Sequence, residues 1–295
     1  MCTTGSIHRK LCVLYSLILM FMLIACGGGD SSSTSSPSPS PSPTIFFKDD
    51  FESDPFYWKC TDVLGDGPSS KWSSGFTSCG STSGFGAEWK VGAGYNSTNA
   101  LYAWKKKGVP NDYRSESNRW FTGSDIKTEI YHRWYMKIPT AGNFNKTTDG
   151  MKFWRYILRE NGYPSPPVIY LNVRSQNELV DGNLVTIHFL SGGQPVFNSL
   201  VSFSEINDNH WHCHELRIKL NSNGQSDGMI EYWLDGRLRA THINQIFDQN
   251  GTTNLAFHRF GVGIGNAGDS AWDQEEWSAI GFDDIAMSTT RVGCN

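Results

Sequence analysis

The sequence predicts an all-β fold, a two-sheet β-sandwich or jelly roll. Three observations carry that prediction. Runs with alternating apolar and polar residues recur along the chain, as in VIYLNVRSQ at 168–176, and period two marks a half-buried strand. Clusters of Gly, Asn, Asp and Pro, such as ENGYPSPP and NSNGQSDG, separate those runs and read as turns. No window gives an amphipathic helix of three turns, although Ile243–Gln249 fits one short turn. Thirty glycines and 13% aromatic residues among 295 suit a strand-and-loop chain.

The first element is not part of that fold. Arg9 and Lys10 precede an apolar run from Leu11 to Ala25, the charged and hydrophobic regions of an export signal over 1–25. The run is short for a transmembrane helix. It ends in LIAC, which resembles the lipobox of bacterial lipoproteins. The resemblance implies that Cys26 becomes a lipidated N-terminus; an ordinary secretory signal is the alternative. Residues 26–44, CGGGDSSSTSSPSPSPSPT, form a Gly/Ser/Pro-rich tether that cannot build a core. The expected product is an exported protein held at a bacterial membrane by its lipid. Gly27 after the cysteine points to the outer membrane or cell surface.

Residues 45–295 have the length of a single all-β domain with ample core. A formal charge of −4 speaks against a nucleic-acid partner. No segment repeats at a fixed period. A monomer without an organic cofactor is expected. Beyond the leader and Cys26, the cysteines are Cys60, Cys79, Cys213 and Cys294, an even number for an oxidising compartment. Cys60–Cys79 would staple a Gly/Ser-rich segment locally, which leaves Cys213–Cys294; a zinc site is the alternative, without any C-x-x-C spacing to support it.

The strand-like runs are, in order, TIFFKDDF, YRSESNRWF, TEIYHRWYMKI, MKFWRYILRE, VIYLNVRSQ, LVTIHFL, WHCHELRIKL, MIEYWLDGRLRATHI, FHRFGVGIG and AIGFDDIAMS. Several have one face richer in chemistry than solvation requires. VIYLNVRSQ sets Tyr170, Asn172, Arg174 and Gln176 opposite Ile169, Leu171 and Val173. Arg114, Glu116 and Asn118 share one side of their run, Tyr131, Arg133, Tyr135 and Lys137 one side of the next, and Thr186 and His188 one side of VTIHF. Glu215, Arg217 and Lys219 form a plain charged face, expected on a solvated convex sheet.

HWHCHELRIKLNSNGQSDGMIEYWLDGRL is similar to the paired strands of concanavalin-A-like jelly rolls, and within that group it resembles the polysaccharide lyases, the alginate, glucuronan and heparin lyase families among them. DDFES and FDDIAMSTTRVGC resemble the first and last strands of those domains. RSES at 114–117 resembles the RSEL/RTEL strand of family 7 alginate lyases, which implies substrate contacts for Arg114 and Glu116. TIH at 186–188 resembles their Q-I/V-H, so His188 matches the histidine while Thr186 stands where Gln is expected. Their Y-x-K-x-G-x-Y-x-Q motif is poorly met by FHRFGVGIG: Arg259 stands for the Lys and Gly261 for the Gly, but Gly263 and Gly265 replace Tyr and Gln.

The resemblance implies a concave sheet that grips an acidic, uronate-containing polysaccharide and cleaves it by β-elimination. That reaction needs donors on the uronate carboxylate, which stabilise the enolate-like transition state, and a base and an acid for C5–H and the leaving oxygen. Arg114, Arg174, Asn172 and Gln176 fit the first role, His188 the base, and Tyr170, Tyr131 or Tyr135 the acid. Glu116, Asn118, Arg133 and Arg259 complete the expected substrate contacts, and Trp72, Trp104 and Trp233 fit either stacking platforms or core. A carbohydrate-binding lipoprotein without catalysis is the alternative. A retaining glycosidase would want closely set carboxylates, and Asp273, Glu275 and Glu276 lie in an expected loop instead. Asp49, Asp50, Glu52, Asp283 and Asp284 could hold a structural calcium ion between first and last strands, or protect an edge. His210, His212 and His214 have a zinc-like spacing but share their face with apolar residues and are expected to rim the core.

Overall fold

A computed structural model describes residues 42–53, 71–72, 85–105, 115–138, 151–158, 167–175, 183–191, 194–247, 255–265 and 278–294. They belong to one unit, Ser42–Asn295. Its strands are β1 (Ile45–Asp49), β2 (Phe85–Val91), β3 (Asn99–Lys105), β4 (Ser115–Trp120), β5 (Glu129–Lys137), β6 (Met151–Ile157) and β7 (Val168–Ser175). They continue with β8 (Asn183–Ser191), β9 (Gln194–Ser202), β10 (Trp211–Lys219), β11 (Gly228–Leu234), β12 (Arg237–Gln245), β13 (Arg259–Gly265) and β14 (Ser278–Ser288). Two antiparallel sheets result. The larger has eight strands, in the order β12-β11-β10-β5-β14-β3-β2 with β1 added to β14; the smaller has six, β4-β13-β6-β7-β8-β9.

Each alternating run folds as a strand because its apolar side meets the other sheet. Ile130, Trp134, Met136, Leu216, Ile218 and Phe282 of the larger sheet are buried with Trp154, Tyr156, Leu171, Ile187, Phe189 and Phe260 of the smaller. Burying one such side chain contributes about 1.5–3 kcal/mol. The rings pack edge to face, as Trp154 does on Phe282 (centroids 5.7 Å, 82°). Asp235 and Gly236, both at positive φ, make the two-residue turn from β11 to β12, as an Asp-Gly pair favours.

Two histidines lie in this core rather than in any metal site. His132 Nδ1 is 2.5 Å from the Tyr156 hydroxyl and His214 Nδ1 is 2.7 Å from that of Tyr232. Burial, and secondarily Arg133, holds the His132 pKa well below its ordinary value. Burial, with His212 adding to it, pulls His214 down to about 3. Both imidazoles are neutral and structural. The expected turn at 243–249 is corrected in part: Ile243–Gln245 continue β12. The first and last strands pair antiparallel, with Asp49 opposite Ile285. The Cys213–Cys294 disulfide is formed and closes a separation of 81 residues; Cys60 and Cys79 lie outside the described residues.

Candidate active site on the smaller sheet

Register brings six outward positions into one row across all six strands. Asn118 pairs with Gly261, Gly261 with Arg155, Arg155 with Tyr170, Tyr170 with His188, and His188 with Phe197. At about 4.8 Å per strand the row spans roughly 24 Å. Beside it Lys152, Asn172, Thr186 and Ser199 form a second row. The answering residues Ile169, Leu171, Ile187 and Phe260 are buried in the core, so the polar set faces outward.

The middle of the row is phenol and imidazole. The rings of Tyr170 and His188 are 6.0 Å apart and nearly parallel at 29°. His188 lies flat on Phe197 (4.2 Å, 16°), which fixes its plane. Lys152 Nζ stands 4.5 Å from the Tyr170 ring centroid. On the same side of Tyr170, the Asn118 side-chain carbonyl oxygen accepts from Arg259 Nε at 3.0 Å and from Arg155 Nη2 at 3.4 Å. Gly261 stands between Asn118 and Arg155 in the row and lends no side chain that would separate them. Arg259 also caps the Trp120 ring at 4.9 Å. Asn172 accepts a hydrogen bond from the Thr186 hydroxyl, so its amide is anchored by the neighbouring strand.

The structure thus gathers Tyr170, His188, Asn172, Asn118 and Arg259, all expected from sequence, on one face. Others do not join them. Tyr131, Arg133 and Tyr135, expected as substrate contacts, sit on β5 in the larger sheet, on its outer face. There Arg133 is buried against Asp284 at 3.0 Å, Tyr135 stacks on Tyr95 at 3.6 Å, and Tyr131 lies under Arg217. Strand pairing placed them, and alternation alone cannot choose between sheets. Arg114 and Gln176 lie outside the described residues, as do the side chains of Glu116 and Arg174; the backbones of the latter two pair with Gly263 and Leu184. Trp72 is core, Trp233 is buried under Arg291, and the Trp104 side chain is not among those described.

The five carboxylates expected around calcium do not converge. Asp49 accepts from Lys71 Nζ and Trp72 Nε1, Glu52 from the Asn99 backbone N–H and Nδ2, and Asp283 from Tyr95 N–H and the Ser97 hydroxyl. Asp284 faces Arg133 and Lys48, and Asp50 lies 3.9 Å from Lys48. Among the described residues no group of three or more His, Cys, Asp or Glu is arranged to hold a metal ion. The expected solvated face of β10 is corrected too, since Glu215 is fully buried.

Lys152 and Arg155 escaped the sequence reading. Three residues apart, they should point to opposite faces of a regular strand. A bulge between Lys152 and Trp154 inserts Phe153 and restores both to the outer face. Phe197 was missed with its strand. Chemically, the face can bind a carboxylate beside a phenol and an imidazole that can exchange protons.

No protein-family model matches the chain and no curated protein matches it. Solved structures do. An endo-β-1,4-glucuronan lyase from the fungus Trichoderma reesei aligns at TM-score 0.55 and 14% identity, over 84% of this chain and 96% of its own. The cellulose-induced protein Cip1 aligns at 0.50 and 18%, over 84% and 100%. The alginate lyase vAL-1 from Chlorella virus aligns at 0.50 and 11%, over 70% and 91%. At these identities the likeness establishes the fold alone, a two-sheet jelly roll.

Proposed function

We propose that the chain binds an acidic polysaccharide along the outer face of the smaller sheet and cleaves it by β-elimination. The observation that supports this reading is the cross-strand pair Tyr170–His188, with Lys152 and the Arg155–Asn118–Arg259 cluster together on the Tyr170 side of it. A uronate carboxylate set over Arg155 and Lys152 is neutralised, which lowers the cost of charge developing at C5. His188 then takes the C5 proton. The released pair forms the C4–C5 double bond, the C4–O bond breaks, and the Tyr170 hydroxyl protonates the departing oxygen. The two side chains exchange the proton back before the next cycle.

Export and tethering belong to the same proposal: Cys26 carries lipid and residues 26–44 hold the domain off a bacterial membrane, where polymer arrives from outside. A binding protein without catalysis is the second reading, favoured by Gly263 and Gly265 on β13, where the lyase motif has Tyr and Gln.

The test incubates the full chain with alginate, glucuronan, heparin-type and pectic chains and follows the ultraviolet absorbance of unsaturated uronates. His188→Ala should abolish the signal and Arg155→Ala should weaken it. Retention of one polymer in an affinity gel without any absorbance would replace the lyase with the binding protein. Neither absorbance nor retention would end both readings.

A further inference from the structure

On the outer face of the larger sheet, Glu215 of β10 and Arg133 of β5 are cross-strand partners, 0% and 2% exposed, and among the described residues no ion pair joins them. A buried carboxylate beside a buried guanidinium is expected to pair with it, because each charge otherwise loses water without compensation. Here Glu215 Oε2 accepts from Arg291 Nε at 3.0 Å, and Oε1 from the N–H groups of Val292 at 2.7 Å and Gly293 at 3.1 Å. The carboxylate is taken up by the tail. Arg133 retains Asp284 at 3.0 Å from Nη2 and the face of Tyr135. Its Nε and Nη1 are buried without a hydrogen-bond partner among the described residues, and its neighbour on β14, Ala286, offers none.

What holds Glu215 to the tail is covalent. Cys213, two residues before it on β10, is bonded to Cys294, which follows Gly293. Gly293, at φ 78°, turns the chain so that two successive N–H groups meet one carboxylate oxygen. Arg291 also donates to the Gly236 carbonyl at 3.2 Å, but its side chain is 44% exposed, and an ion pair so exposed holds little by itself. Glu215 therefore has two sets of donors, the tail and Arg133, and the disulfide selects the first.

We infer that Cys213–Cys294 is a redox latch: its reduction frees the tail, and Glu215 turns to Arg133. A dithiol supplies the two electrons. Its thiolate attacks the sulfur of Cys294, the half-buried residue of the two, and Cys213, 3% exposed, departs as a thiolate that takes up a proton. The second thiol then displaces Cys294 and closes a cyclic disulfide, so two protein thiols are formed for one dithiol oxidised. Glu215 loses the donors of Arg291, Val292 and Gly293 and gains Arg133 Nε and Nη1. The switch also uncovers Trp233, 8% exposed with Arg291 over its ring at 4.7 Å. It lies on the opposite sheet from Tyr170 and His188 and does not depend on the acidic-polysaccharide reading.

The experiment follows the full chain, labelled with nitrogen-15, by NMR with and without dithiothreitol, beside Cys294→Ser, which removes this bond and no other. Opening the bond by either route should speed exchange of the Val292 and Gly293 amides about 10²-fold, while the Ile130 and Trp134 amides of β5 keep their protection. The Arg133 Nε–H resonance should move downfield as it gains a charge-assisted hydrogen bond. In Glu215→Ala the same treatment should leave that resonance in place. Val292 and Gly293 amides that stay protected in both opened forms overturn the inference, since the tail then needs no bond to hold it. So does an Arg133 resonance that fails to move, or that moves equally in Glu215→Ala. Loss of protection along the whole of β5 overturns it as well, because opening would then be unfolding rather than a switch.

Discussion

On the outer face of the larger sheet, Tyr135 lies flat on Tyr95, Arg133 is closed off by Asp284, and Asp283 receives the Tyr95 N–H and the Ser97 hydroxyl. Buried Glu215 accepts from Arg291 Nε and from the N–H groups of Val292 and Gly293. On the outer face of the smaller sheet, the same kinds of residue, Tyr170, Arg155, Lys152 and His188, stay half-buried. Phe197, at the edge, is 38% exposed. Among the described residues, two segments cover the larger sheet. Residues 92–99 and the tail 291–294 lie over the larger sheet and supply its polar groups with partners. The contrast teaches that a tyrosine–arginine face becomes structure when the chain's own backbone covers it. It becomes a candidate site when a ligand can take that place.

Exchanging one hydroxyl on each face is the sharpest way to break this comparison. Tyr170→Phe should reduce polymer cleavage by about 10²–10⁴-fold with little change in polymer retention. Tyr135→Phe should leave both unchanged. Equal losses in the two variants would mean that the faces are not functionally distinct. A smaller effect, on stability, is expected where the tail covers the larger sheet. Glu215→Ala strips the acceptor from Arg291 and two backbone N–H groups and should cost about 3 kcal/mol in denaturant unfolding. Cleavage per folded molecule should be unaffected. An unchanged midpoint would show that the tail does not hold that face.

The smallest expected effect is a pH dependence at the end of the larger sheet. His212 lies between Asp235 Oδ2 at 2.8 Å and Asp208 Oδ1 at 3.0 Å; Asp208 also meets His210, and His214 faces the ring from its own strand. Burial works against the charged imidazole, but the hydrogen bonds to Asp235 and Asp208 outweigh it and raise the His212 pKa above 6.5. A raised histidine contributes stability that is full below about pH 6.5 and is lost as pH climbs through the folded value. After solvent screening the effect is on the order of 0.5 kcal/mol. His212→Asn should flatten the dependence between pH 6 and 8, read as the shift of the urea midpoint.

Much of the fold was legible along the chain. Ten alternating runs matched described strands, with MIEYWLDGRLRATHI resolving into β11 and β12 about its Asp-Gly turn. The strands β2, β3 and β9 were not foreseen. QPVFNSLVS has Pro at its second position and alternates weakly because β9 is an edge strand with an exposed outer half. The shared outer face of Tyr170, Asn172 and His188 was legible because a phenol and an amide on one strand face, and an imidazole on another, are unusual for a solvated surface. Lys152 and Arg155 were not, because the bulge at Phe153 changes the parity of β6.

The sequence by itself determined that this is an all-β chain whose strands each have one apolar side, since period two follows from backbone geometry and burial is a property of residue type. It also carried the turn signal NSNGQSDG between the runs that became β10 and β11. Which sheet each strand entered, and so which polar faces stand together, was decided by the tertiary structure. Tyr135 and Tyr170 have equivalent local patterns, and they end on opposite sides of the molecule because β5 pairs with β10 and β14 while β7 pairs with β6 and β8. Strand pairing is a long-range choice fixed by packing of the whole core, and no local pattern contains it.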